Sequence, residues 1–257
     1  MTMSSFSRSL VLAFAALALA PLVHAQSTAP STAPASDGLQ APGADPAAAP
    51  NLTSPIEAAR NKIQEAVKCM NQNPPDQEGA LADLTQAIQL KPDSAFAYLL
   101  RGSLYTQKKM FPQAEADFSS AYRIDPTNVV IKFNLSELKF MQKHYDEART
   151  GFFPLQKDPD MGDFAIYKVF LCDLFGGHAD VAKSELAAIN QKGDDASYYF
   201  ANAAWDLFYK KTDDARTWLI SASHIYDQKK FSTYGESLQY LGYLPLPPPK
   251  DANSLQP

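Results

Sequence analysis

The sequence predicts an all-α protein built as a solenoid of about five helical hairpins closed by a C-terminal capping helix. Three observations carry that reading. Ala80, Ala114, Ala148 and Ala182 follow one another at a constant interval of 34 residues, the signature of a stacked helical repeat. Pro92 and Pro126 are the same distance apart and cannot continue a helix, so each closes a unit. Between them, Ala95 to Pro126 carries apolar residues at helical spacing in two runs joined by a short turn.

In the clearest unit, Tyr98, Arg101-Gly102 and Tyr105 lie on the first helix, and Ala114, Phe118, Ala121 and Pro126 on and after the second. Gly102 and Ala114 are small enough to let two helix axes approach to about 8–10 Å, and the three aromatic rings fill the space that remains. This pattern resembles the tetratricopeptide repeat (TPR) family, from which only Arg101 departs, standing where the family places leucine. The resemblance covers roughly residues 54 to 226. It implies a right-handed α-solenoid that acts as a non-catalytic scaffold for protein binding.

The chain begins with features of export. Arg8 precedes an apolar run from Leu10 to Ala20, and Val23-His24-Ala25 offers a small-residue cleavage site, so residues 1–25 read as a signal peptide. The run is too short for a bilayer span, which needs about 20 apolar residues. No stable membrane span is expected after cleavage, and the mature protein is placed in the periplasm or outside the cell. Residues 26–53 are rich in Ala, Pro, Ser and Thr, with almost no apolar side chain to offset the entropy of ordering, and read as a disordered linker.

Order is expected from Ser54-Pro55-Ile56-Glu57, a capping serine, a proline at the first helical position and a glutamate that closes a capping box. The repeats then occupy about 54–92, 93–126, 127–160, 161–193 and 194–228. In the first, Ala80, Leu84 and Ala87 keep the second-helix pattern, while Gln64, Lys68 and Asn71 give the first helix the polar face of a terminal repeat. The third carries Leu135, Tyr145, Ala148 and Phe152. The fourth is interrupted at Gly176-Gly177, and the fifth has an aromatic first helix with Tyr198, Tyr199, Phe200, Trp205 and Phe208. A capping helix is placed at 229–244, with Thr233 and Glu236 spaced as a capping box and Gly242 as a stop. Residues 245–257 read as a proline-rich disordered tail.

The formal charge of −5 excludes a nucleic-acid binder, which needs a basic patch to neutralise phosphates. Lys108-Lys109 and Lys210-Lys211 fall at the ends of first helices, where cations suit the helix dipole. Cys69 and Cys172 lie on first helices three repeats apart, beyond the reach of a disulfide, and are expected to be unpaired, buried thiols. No catalytic, phosphate-binding or metal-ligating motif is present, so no enzyme activity, cofactor or metal is expected. His144 and His178 share a repeat register but lack a third ligand. Asp158, Asp160 and Asp163 lack the closing glutamate of a calcium loop.

In proteins of the family resembled, the first helices line a concave groove that holds a peptide or helix. Carried onto this sequence, the groove positions are Phe96, Leu99 and Ser103, then Val130, Phe133, Glu137 and Phe140. They continue as Phe164, Tyr167, Leu171 and Phe175, then Phe200, Ala204 and Phe208. The resemblance therefore implies an apolar groove that binds a segment of a partner protein in the bacterial cell envelope. Two alternatives stand beside it: the same aromatic stripe serves as packing between helices, or a second copy of the chain covers it in a structural homo-oligomer. The Lys and Asn of chaperone-tail clamps are missing, since Glu65, Cys69, Leu99 and Ser103 stand at those places.

Overall fold

A computed structural model describes residues 54–246 apart from Asp194, and the signal peptide, the linker and most of the tail expected from the sequence lie outside it. Among the described residues there are eleven α-helices and no strand. They form the helical pairs of an α-solenoid followed by one further helix. α1 (Pro55–Asn71) pairs with α2 (Gln77–Leu90), α3 (Ala95–Gln107) with α4 (Phe111–Ile124), and α5 (Val129–Met141) with α6 (Tyr145–Phe152). α7 (Gly162–Phe175) pairs with α8 (Ala179–Lys192) and α9 (Ala196–Phe208) with α10 (Thr212–Ile225), and α11 (Gln228–Tyr240) is the last.

The first helix of each pair starts at a side-chain cap or a tight turn. Ser54 and Glu57 form a reciprocal capping box on α1. Ser94 Oγ accepts from Ala97 N–H on α3, Asn128 Oδ1 from Val130 and Ile131 on α5, and Asp195 Oδ1 from Tyr198 on α9. Each satisfies a donor that the first helical turn leaves without a partner. Before α7, Asp158 Oδ1 accepts from the N–H groups of Asp160 and Met161, so the acidic run is turn chemistry.

The turn inside four of the hairpins is built on one residue in the left-handed region: Lys109 (φ 58°), Lys143 (φ 63°), Gly177 (φ 93°) and Lys210 (φ 62°). Around Lys109 the backbone N–H of Met110 reaches Tyr105 O (2.8 Å) and that of Lys109 reaches Thr106 O (2.9 Å). These are the two bonds of a Schellman stop, and the same pair recurs around Lys143 and Lys210. α6 is short because Pro154 lacks the N–H a helix would need, and the chain passes into a 3-10 turn at Phe153–Lys157.

First helices pack side by side, α3 on α5 and α7 on α9, while α2, α4, α6 and α8 each lie against the first helix that follows. The core runs as a ribbon in three clusters: α1 to α3, α3 to α5, and a larger one from α5 through α11. Eleven of the fourteen residues of α7 are buried, since it is enclosed by α5, α6, α8, α9 and α11. Cys172 is among them. Cys69 on α1 is only partly covered, short of the burial expected of it, because among the described residues no further hairpin stacks on the outer side of the first.

The closing helix begins earlier than Thr233. Asp227 is its cap, accepting from Lys230 N–H at 2.7 Å, and Thr233 is interior, its hydroxyl bonded to Lys229 O. It ends at Tyr240, before the expected 244.

Candidate protein-interaction face

The aromatic residues proposed for an open groove are interior. Phe133, Phe140, Tyr167, Leu171 and Phe200 are at most 1% exposed, Leu99 2% and Phe164 5%. Phe96 and Phe208 are partly covered, the first between the two N-terminal clusters and the second against Phe175, with ring centroids 5.5 Å apart. Two kinds of packing account for this. Phe133 is held between α5, α6 and α7, with ring centroids 5.0 Å from Phe152 and 5.4 Å from Phe164. Phe164, Tyr167 and Phe200 face outward from the first-helix layer and are covered by α11.

The seat of α11 is built from named contacts. The Tyr234 ring lies 4.8 Å from Phe164, 5.4 Å from Tyr167 and 5.5 Å from Phe200, centroid to centroid. Phe231 packs edge-on to Phe200 at 5.2 Å, and Leu238 is fully buried. Beyond the helix, Tyr243 lies 5.7 Å from Phe175. Gly235 runs close to Phe200, where a Cβ would already stand at van der Waals distance, 3.5 Å from a ring carbon. At the far end, the Tyr240 hydroxyl donates to the backbone carbonyl of Met141 at the end of α5.

One cation sits beneath this helix. Lys168 on α7 is 0% exposed, with its ammonium 2.6 Å from Glu137 Oε2 on α5 and 2.7 Å from the Ser237 hydroxyl on α11. It also lies 4.4 Å from the centroid of Phe140 and 5.6 Å from that of Phe164. An ion pair out of water needs such additional partners, because the attraction alone does not repay desolvation. Beside it, burial pushes the Tyr167 hydroxyl well above the usual phenol range, and that hydroxyl makes no hydrogen bond.

Sequence reasoning missed Lys168, Ser237 and Tyr240. Lys168 had a signal: it is the lone charge in the apolar run from Phe164 to Cys172, which is apolar on every face of a helix and so must be enclosed. Ser237 and Tyr240 lie on a helix rich in polar residues, where the hydroxyls that take part in its seat do not stand out.

A second polar cluster lies between α6, α7 and α8. Arg149 Nε is 2.6 Å from Asp173 Oδ2, and Asp173 Oδ1 is 3.1 Å from His178 Nδ1. Glu185 stands beside them, 3.8 Å from Arg149 Nη2. Burial, then the Asp173 charge and a hydrogen bond to it, push the Glu185 carboxyl up to about 7, against the lowering effect of Arg149. His144 is at the cap of α6 and pairs with Glu147, apart from this cluster. Among the described residues no group of three or more His, Cys, Asp or Glu is arranged to hold a metal.

The helical layout has counterparts among solved structures. PilW, described as a widely conserved type IV pilus biogenesis factor, is similar with a TM-score of 0.54 and 19% identity over 72% of this chain and 87% of that one. PilF of Pseudomonas aeruginosa gives 0.53 and 17% over 73% and 93%. A tetratricopeptide repeat protein of Parabacteroides merdae gives 0.53 and 18% over 71% and 70%. The fold is a TPR-type solenoid. No protein-family model matches the sequence, and no protein of curated function matches it. At these identities the likeness concerns the solenoid itself, and its first-helix face is occupied here by the chain's own last helix.

Proposed function

We propose that this chain is a non-catalytic protein-interaction scaffold of the bacterial cell envelope, exported by its N-terminal signal and binding a helical segment of a partner protein on its first-helix face. The observation that carries the reading is the seat of α11: α5, α7 and α9 together already hold a helix, through aromatic slots, a buried ammonium and a backbone carbonyl. A surface that takes one amphipathic helix has the chemistry to take another. The fold supports the same reading, since it is shared with a type IV pilus biogenesis factor. No described helix is long and apolar enough to cross a membrane.

Expression in a bacterial host with a periplasm, followed by fractionation, N-terminal sequencing and in-cell cross-linking with mass spectrometry, tests this. The expected result is a periplasmic chain beginning at Gln26, with cross-links to a second envelope protein. A cytoplasmic chain that retains Met1, or cross-links that join only copies of this chain, would contradict it.

A further inference from the structure

α11 continues the stack against α9 and α10, and it also reaches further. In a solenoid each first helix touches its neighbours alone, yet α11 reaches three first helices in succession. Phe231 and Tyr234 lie on α9, Tyr234 and Ser237 on α7, and Tyr240 at the end of α5. Side chains of one helix thus bridge the layer beyond its immediate neighbour. Its buried face is also narrow: Ser232, Tyr234, Gly235, Ser237 and Leu238 out of thirteen residues.

Seating it has a polar cost. It closes over the Lys168–Glu137 pair, and it leaves the wholly buried Tyr167 hydroxyl without a hydrogen-bond partner. Lifting the helix uncovers the side of Lys168 and Tyr167 that Ser237 and Tyr234 close, which offsets part of the apolar burial that opening forfeits. The joint is already there, since only Tyr226 and Asp227 separate α10 from α11.

We propose that α11 is a displaceable internal occupant of the first-helix face, and that the partner is a helix of the same chemistry which takes its place. This rests on the interaction reading above and names the ligand class. The seat specifies an aromatic residue for the Phe164–Tyr167–Phe200 slot and a glycine or alanine directly after it, against Phe200. One turn on, it specifies a hydroxyl or other acceptor for Lys168 and then a leucine. A partner helix that also brings an acceptor to the Tyr167 hydroxyl binds better than α11 does. Until such a helix arrives, α11 keeps the aromatic face covered.

The test uses the mature full-length chain and, as probe, a fluorescein-labelled synthetic peptide of residues 227–244. Asp227→Ala removes the cap of α11 without touching the face, and loss of such a cap shifts the opening equilibrium about fivefold. Fluorescence anisotropy is expected to show about fivefold tighter binding of the probe to Asp227→Ala than to the unsubstituted chain, and none of a probe carrying Tyr234→Ala. Hydrogen exchange on the unsubstituted chain provides a second readout that needs no variant. Amides of α11 are expected to exchange by local opening, faster than those of α7, and to lose further protection when the probe binds. Equal affinity of the two chains, or α11 amides that exchange only with global unfolding, would overturn the proposal. A displaceable α11 in a chain that cross-links to no other protein would instead remove the scaffold reading and leave the displaceable helix standing.

Discussion

Arg101, the residue at which the sequence breaks the repeat pattern, makes its own use of the break. Its Nε and Nη2 each lie 2.8 Å from an oxygen of Asp117 on the partner helix, Nη1 reaches the Thr85 hydroxyl at 3.1 Å, and the guanidinium lies within 6 Å of the Tyr98 and Tyr105 rings. The hydrogen bond to Asp117 raises the Arg101 pKa further above its ordinary value. Removing one partner of such a covered pair leaves the other charge uncompensated, so Arg101→Leu is expected to cost about 3 kcal/mol in urea unfolding. The double variant Arg101→Leu with Asp117→Leu is expected to cost under about 1 kcal/mol, because no charge is then stranded. Glu185 gives a pH dependence of opposite sense to most carboxylates. Held protonated up to about pH 7 in the folded chain, it ionises near 4.5 once unfolded. Between those values the folded state binds more protons, so stability falls as the pH rises through the window. Glu185→Gln should flatten that fall and raise the urea midpoint more at about pH 8 than at about pH 5. An unchanged pH profile would mean that burial and Asp173 do not hold the proton there.

At the scale of the element, the hairpin turns were the least legible part of the sequence. Alanines at 34-residue intervals located the pairs, and Ser54-Pro55-Ile56-Glu57 located the first cap, because small residues and capping boxes have few other uses. Lys109, Lys143 and Lys210 gave no such sign, since lysine has no preference for the left-handed region and Gly177 alone announced it. The closing helix was misplaced for a related reason: Thr233 and Glu236 imitate a capping box inside a helix that Asp227 starts. The left-handed lysines carry strain that glycine would not. Lys143 is exposed and makes only backbone contacts at the turn, so Lys143→Gly is expected to stabilise by up to about 1 kcal/mol, read as a higher melting temperature. A lower melting temperature would show that the gain in unfolded-chain entropy outweighs the relieved strain.

For the whole molecule, the sequence made the aromatic stripe of residues 133 to 208 visible but could not say what covers it, because groove and core both place aromatics at helical spacing. Both descriptions apply to parts of it. Phe133 and Phe140 are packed within the stack, whereas Phe164, Tyr167 and Phe200 line a face that the chain fills itself. The cover is supplied from across the sequence, as Lys168 and Ser237 show at a separation of 69 residues, and no local pattern reports such a pairing. Tyr234 and Leu238 join the largest core cluster from α11, and Tyr234→Ala should cost about 3 kcal/mol while leaving the α1 to α4 end unaffected in hydrogen exchange. The central claim, that the last helix lies across three earlier first helices, is tested most directly by nuclear Overhauser contacts in a chain labelled at Phe and Tyr. Cross-peaks from the Tyr234 ring to Phe164, Tyr167 and Phe200 together are the predicted result. A Tyr234 ring that reports only on α10, with Phe164 and Tyr167 open to solvent, would contradict it.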